Sequence, residues 1–327
     1  MPSRTGLADV ALSRWLFTPV PAGRLAVFRT LAYLYIPLDM VKVTPWVFRH
    51  KDVPGELYQP LRIGRLAELP VPTERVVSGL ALALVVSALV GATGRAPRLW
   101  GWLVAGLYFE WMVVAMSYGK VDHDRFAFLV ALFAIATVGP ARWGDSTPNE
   151  KAGWALRVTQ LAVVATYFLA AFAKFRYGGL AWLTGATLTR AVIRRGTVFS
   201  DWMLDVPDVL VAMQIFIVAF ELASPVVLFL PERQQRRVVV LLYLFHVGTY
   251  AAITIAFWPH LVALAAFLPL EKVHDWLTAG RDVGRRGGRQ RVAVGLGEGA
   301  SRGAAGKAVA VAGDQAVQGP GEPEHGG

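Results

Sequence analysis

Four ionisable side chains lie inside or at the edge of apolar runs of the chain, and two histidines accompany them. Glu110 interrupts the stretch Leu99 to Tyr118, and Glu221 interrupts Val209 to Leu230. Each acid lies about twelve residues into its run, roughly 18 Å along a helix, near the middle of a bilayer. Arg29 follows Leu25 by four residues, and His246 lies within a charge-free run. An ionisable group in hydrocarbon costs roughly 2.5 to 3.5 kcal/mol on insertion scales, so each one asks for a partner or a task. A carboxylate, a guanidinium and an imidazole at neighbouring depths can form a polar cluster for protons or substrate. They can equally form an Arg29 pair with Glu110 or Glu221 that only fixes helix packing.

Two further segments carry chemistry. Tyr118-Gly-Lys-Val-Asp-His-Asp-Arg125 is a polar hinge, and Tyr167-Phe-Leu-Ala-Ala-Phe-Ala-Lys-Phe175 ends an apolar run on Lys174. In the hinge, Asp122 or Asp124 is expected to cap the following helix. Consecutive positions point Asp122, His123 and Asp124 in different directions, so no metal site is read there. Lys174 at a helix end either snorkels to water or, desolvated beside aromatic rings, becomes a base. Its run is followed by Tyr177-Gly-Gly and Trp182-Leu-Thr-Gly185. From Leu183 to Arg195 the pattern reads as an amphipathic helix with Arg190, Arg194 and Arg195 towards one side, suited to a membrane surface. His260, after Trp258-Pro259, reads as a boundary residue.

The elements that must hold these groups follow from composition. Of 327 residues, 55% are hydrophobic and 17% charged, where a soluble domain has about 25% charged. Mean hydropathy is +0.45. The apolar residues fall in long blocks, which predicts an all-α polytopic transmembrane helix bundle of about eight crossings. Val76 to Gly94, Leu99 to Tyr118, Trp154 to Phe172 and Val209 to Leu230 are the clearest spans. Leu25 to Val41, broken by Pro37 and Asp39, and Phe126 to Val138, which must borrow flanking residues, are weaker. Val238 to Leu270 is 33 residues without Asp, Glu, Lys or Arg. That length is excessive for one crossing, and Trp258-Pro259 inside it predicts two packed segments.

The divisions expected are 1–19 as an N-terminal cytoplasmic segment, 20–272 as the membrane domain and 273–327 as a disordered Gly/Ala/Arg-rich tail. From Gly280 onward, 14 of 48 residues are Gly and aromatic residues vanish, a composition that cannot offset its ordering entropy. No cleavable signal peptide is read in the first twenty residues. The absence of cysteine excludes disulfides and Cys nucleophiles. The net charge of +10 would suggest nucleic acid in a soluble protein; here membrane lipids are the simpler partner. With the N-terminus cytoplasmic, Arg95 and Arg98, then Arg142 and Lys151, then Arg233, Arg236 and Arg237 fall on the same side, as does the tail. Lys51, Arg62, Arg65, Arg75, Lys120, Lys174 and Arg176 fall on the other. Nucleotide-binding loops and a nucleophile elbow are not found.

The order Phe28-Arg29, a hinge with His123 opening a helix, Ala173-Lys174-Phe175 followed by Trp182-Leu-Thr-Gly185, then Phe245-His246 with Phe257-Trp258-Pro259 resembles the HTTM domain. That is the membrane module shared with vitamin K-dependent gamma-carboxylase, and the resemblance spans about residues 20 to 270. It implies that Lys174 is a base towards a reduced quinone, with His123 and His246 as acid/base or orienting groups. The family's double-lysine pattern and Asn-rich hinge are absent, since Ala173 precedes Lys174 and Asp122 precedes His123. The large soluble portion of the carboxylase is absent too, so the resemblance implies a pocket for a quinone-like amphiphile and not protein carboxylation. Two other readings stand beside it. One is a proton-coupled transporter using Arg29, Glu110, Glu221 and His246; the other is a non-catalytic membrane component.

Overall fold

A computed structural model of the chain describes residues 11–119 and 121–279. The described residues up to Lys272 form one compact unit, and a second begins at Val273. Among the described residues the only strand pairing is a two-residue contact of Val20–Pro21 with Pro148–Asn149. Everything else that is regular is helical. Residues 271–279 are helical, so the first residues of the segment read as tail are ordered into helix. The remainder of that segment, 280–327, and residues 1–10 lie outside the described residues.

The principal helices are α1 (Ala22–Leu38), α2 (Glu74–Ala92), α3 (Pro97–Ala115), α4 (Phe126–Ala136), α5 (Glu150–Gly178), α6 (Thr187–Arg195), α7 (Pro207–Ala223), α8 (Glu232–Ile253) and α9 (Trp258–Leu264). Local chemistry sets several of their ends. Thr73 accepts from the Val76 amide at the start of α2, and Asn149 from the Ala152 amide at the start of α5. Pro97 and Pro207 occupy first-turn positions, where the missing N–H costs nothing. The long charge-free run does divide in two. Thr254 adopts a left-handed conformation (φ 53°) that ends α8, and Trp258-Pro259 opens α9.

Four helical segments are long and apolar enough to cross a membrane: α2, α5, α8 and α7 with its 3-10 extension to Phe229. The eight expected crossings therefore rest on four such segments. The other four candidates are short or polar. Helix α1 has 17 residues and carries Arg24 and Arg29, α3 carries Arg98 and Glu110, α4 has 11 residues and α9 has 7. Large apolar side chains cover much of the exterior, including Leu82, Leu103, Phe172, Phe216 and Leu244. Water would penalise such a surface, and lipid would not.

Contacts near the start of α1 gather several loops at one end of the bundle. The Gly23 amide donates to the Asp145 carbonyl (2.8 Å), and Arg24 makes a two-pronged bond to Glu271 (2.7 and 2.8 Å) and reaches Glu232 at 3.5 Å. At the other end, the C-terminal part of α8 receives hydrogen bonds from Thr197 and Ser200 through the Ala251 and Ala252 carbonyls.

Candidate functional site

Helix α5 carries Lys174 one turn before its C-terminus, and α7 carries Glu221 close to its own. The two meet although 47 residues separate them: Lys174 Nζ lies 2.6 Å and 2.7 Å from the two carboxylate oxygens of Glu221. The carboxylate side chain is only 8% exposed and the lysine 20%. Lys174 thus neither snorkels freely to water nor stands alone as an amine. Its ammonium also sits 5.2 Å from the centre of the Trp182 ring, a cation–π distance. Trp182 is brought back by the turn at Gly179 (φ 59°), a backbone conformation that glycine adopts without strain.

Two cavities adjoin this pair. The larger, about 850 Å³, is apolar, walled by Phe109, Met112, Met116, Leu129 and Leu169, with Lys174, Trp182 and His123 at its polar side. Several of its wall residues, among them Leu169, Phe126 and Tyr177, are exposed on the flank of the bundle. The smaller, about 260 Å³, also has a mostly apolar wall, with Leu188, Ile217, Phe245, Ile253 and Phe257 on it. It holds Glu221, Tyr167, His246, His260 and Thr249, and shares Lys174, Trp182 and His123 with its neighbour. Lys174 and His123 therefore stand where the two cavities meet, and the buried polar groups beyond them gather in the smaller one.

His246 on α8 is buried. Its Nε2 lies 2.7 Å from the Tyr167 hydroxyl, which belongs to the same helix as Lys174, two turns earlier. Its Nδ1 has no partner among the described residues. His260 lies 5.3 Å from His246 between ring centres and packs edge-on to Tyr167 at 4.8 Å. It is 1% exposed with neither ring nitrogen satisfied. His260 therefore lies inside the bundle and borders the smaller cavity beside His246. Its sequence signal was weak, since a histidine beside Trp-Pro also fits a membrane boundary.

The remaining candidates are placed elsewhere. Arg29 is 3% exposed and donates from Nη2 to the Ala141 carbonyl at 2.8 Å, next to Gly94, where an added Cβ would lie 2.7 Å from that nitrogen. It ties two loops at the end of the bundle and pairs with neither Glu110 nor Glu221. Glu110 is half-buried, within electrostatic reach of Tyr58, and makes no ion pair among the described residues. The midplane cluster expected of Arg29, Glu110, Glu221 and His246 is not assembled. Helix packing places Glu221 and His246 together and Lys174, drawn from a helix end, in place of the arginine.

The hinge is fastened by a network that sequence reading missed. Arg125 Nη1 donates to both carboxylate oxygens of Asp39 (2.8 and 3.0 Å), which also accept from the Tyr35 and Tyr108 hydroxyls (3.1 and 3.2 Å). Trp111 donates to Thr44, whose hydroxyl reaches the Asp39 carbonyl. Asp39 is fully buried in the π-helical turn Asp39–Val43 that follows α1. Neither Asp122 nor Asp124 caps a helix through its side chain, in contrast to the expectation. Burial instead pushes the Asp124 carboxyl up to about 6, with Asp122 and Asp39 adding to the shift and Arg125 opposing it. The amphipathic helix starts at Thr187, later than expected, because the chain breaks at Gly185. There Gln214 donates to the Leu183 and Gly185 carbonyls (2.9 Å each) and accepts from the Leu188 amide.

Comparison of the chain with protein-family models, with curated proteins and with solved structures finds no match in any of the three.

Proposed function

We propose that this multi-pass membrane protein takes an amphiphile laterally from the bilayer and removes a proton from it, with the Lys174–Glu221 pair as the proton-accepting unit. The carrying observation is the position of that pair, at the junction of an apolar cavity open on the bundle's flank and a smaller cavity whose polar groups are Glu221, Tyr167, His246 and His260. A volume of about 850 Å³ lies within the range of sites for drug-sized ligands, and an apolar lining with few convergent polar groups is their usual character. A ring with an apolar chain, such as a reduced quinone, fits that lining. Bound there, a quinol would supply an acidic hydroxyl and two removable electrons.

This chain's own residues account for the proton. An ammonium is no base. Transfer of one proton from Lys174 to Glu221, however, turns the ion pair into an amine and a carboxylic acid without changing the net charge. That amine would face the cavity as a base, with Trp182 packed beside it. His123 borders both chambers and serves as an orienting group for a hydroxyl; the Tyr167–His246 hydrogen bond with His260 beside it offers a path onward for the proton. The HTTM resemblance supports the same roles for Lys174, His123 and His246, and Trp182 of its Trp-Leu-Thr-Gly element is the ring over the lysine.

The test is to purify the protein in a mild non-ionic detergent and identify bound lipids by mass spectrometry, comparing wild type with Lys174→Met and Glu221→Gln. Selective retention of one quinone species by wild type supports the reading; equal lipid profiles in all three refute it. A proton-coupled carrier would use the same pair, since Glu221 and Lys174 border the smaller cavity together with His246 and His260. It is distinguished by pH-driven uptake into vesicles that Glu221→Gln abolishes.

A further inference from the structure

A third cavity, about 870 Å³, opens beside the first two, between the hinge and α6. Arg190, Arg194 and Arg195 line it from α6, facing Asp122, His123 and Asp124 of the hinge and Trp46. Arg125, also on its wall, is neutralised by Asp39 at 2.8 Å. His123 borders all three cavities, and Asp122 and Arg125 border this one and the large apolar one. The three spaces therefore meet at the hinge.

The arginines pose an electrostatic problem. Arg190 and Arg194 are four residues apart on one helix and Arg195 is adjacent, so three like charges are held within a turn and a half, an arrangement that opposes helix formation. None of the three makes an ion pair among the described residues. The two hinge aspartates on the opposite wall offset part of that charge and leave the cleft net positive. Guanidinium groups in this arrangement suit a planar or tetrahedral oxyanion, which they can grip through two bonds at once.

Resting on the amphiphile reading above, we propose that this cleft binds a carboxylate or phosphate carried as the head group of the same amphiphile whose apolar body fills the large cavity. The substrate class is then an anionic amphiphile. Its head is held by α6, its chain lies among Met112, Met116 and Leu129, and its reacting group passes His123 to reach Lys174. The amphipathic character of α6 serves this end as well as contact with the bilayer surface.

A fatty acid bearing a diazirine in its tail, and its methyl ester, test this in nanodiscs of phosphatidylcholine. After photolysis, labelling of the peptides carrying Met112 and Leu129 is normalised to labelling of the lipid-facing side of α8, which corrects for partitioning. The expected result is about tenfold more cavity labelling by the acid than by the ester in wild type. In Arg190→Gln/Arg194→Gln/Arg195→Gln the acid should fall to the level of the ester, with ester labelling unchanged. The triple Arg→Lys variant should keep only part of the preference, because it keeps the charge and loses the two-bond grip. Equal labelling by acid and ester in wild type overturns the head-group site and leaves the apolar pocket standing. Absence of cavity labelling by either probe refutes the pocket, and this proposal with it. An acid preference that survives the glutamine variant assigns the head group to other residues and overturns the proposal. Inorganic phosphate at matched ionic strength separates the sources. Failure to displace the acid supports a tethered head group, whereas loss of the acid preference at low phosphate gives the cleft to a free anion and overturns the head-group assignment.

Discussion

At the scale of single residues, the Lys174–Glu221 pair makes a claim about energy that can be separated from its role in chemistry. Removing one member leaves the other buried and unpaired. Because the lysine retains some exposure, Glu221→Gln or Lys174→Met should each cost about 2 to 3 kcal/mol, less than a fully buried pair. The double variant should recover at least half of that loss, since no charge is left behind. Chemical or thermal unfolding in detergent measures all three, and additive losses would mean that the two groups are not coupled in the folded protein. Asp124 behaves differently, because its carboxyl is raised to about 6, chiefly by burial. An acid with a raised folded-state pKa penalises the fold only where it is ionised. The penalty is absent below about pH 4, grows as pH rises through about 6 and is complete above it. Asp124→Asn should therefore leave stability unchanged at pH 4 and raise it by about 1 to 2 kcal/mol at pH 7.5, after allowance for partial solvent screening. A gain at pH 4 equal to that at pH 7.5 would show that the carboxyl is not perturbed.

At the scale of elements, the apolar runs and their breakers made most helices legible. Pro97, Pro207 and Trp258-Pro259 stand where helices begin, and long apolar blocks became α2, α5, α7 and α8. What the runs could not tell was rotation. Glu110 and Glu221 lie at equal depth in similar helices, yet one meets a lysine and the other meets none, because pairing depends on which face each helix turns to its neighbour. Lys174 and Glu221, or Asp39 and Arg125 at a separation of 86 residues, leave no local trace of their meeting. His260 escaped for the same reason: only the packing of α9 beside Tyr167 and His246 makes its burial visible. Helix rotation can be tested with glycines of α3. At Gly101 an added Cβ would lie 2.8 Å from the Ala136 Cα of α4, a backbone atom that cannot yield, whereas Gly106 faces open space. Gly101→Val should destabilise by about 2 to 4 kcal/mol through overpacking. Gly106→Ala should be neutral or stabilise by about 0.5 to 1 kcal/mol from helix propensity. Thermal melts of the two variants check this, and similar effects at both sites would mean that α3 presents a different face to α4.

At the scale of the whole molecule, the loops near Asp145 and Glu232 share one end because both reach the start of α1, while residues 197–200 lie at the other end of α8. The basic turns containing Arg142, Lys151, Arg233, Arg236 and Arg237 belong to the first end, which the positive-inside rule predicts to be cytoplasmic. The opposite end is not poor in cations, but several are already paired: Lys51 with Glu74, Arg125 with Asp39 and Lys174 with Glu221. At the first end, Glu271 shows the same pairing. Burial is the largest single influence and would raise its carboxyl, yet the Arg24 hydrogen bonds, a backbone hydrogen bond and the charges of Arg24 and Lys272 together hold it below the usual glutamate range. The chain has no cysteine, so each engineered one is a unique label. Ser146→Cys and Gln234→Cys should both be protected from an impermeant maleimide applied to intact cells, and Val198→Cys, whose side chain is exposed, should react. Reaction of the first two with protection of the third keeps the shared end and inverts the topology. Reaction of only one of Ser146→Cys and Gln234→Cys would separate loops that α1 holds together, and would contradict the bundle itself.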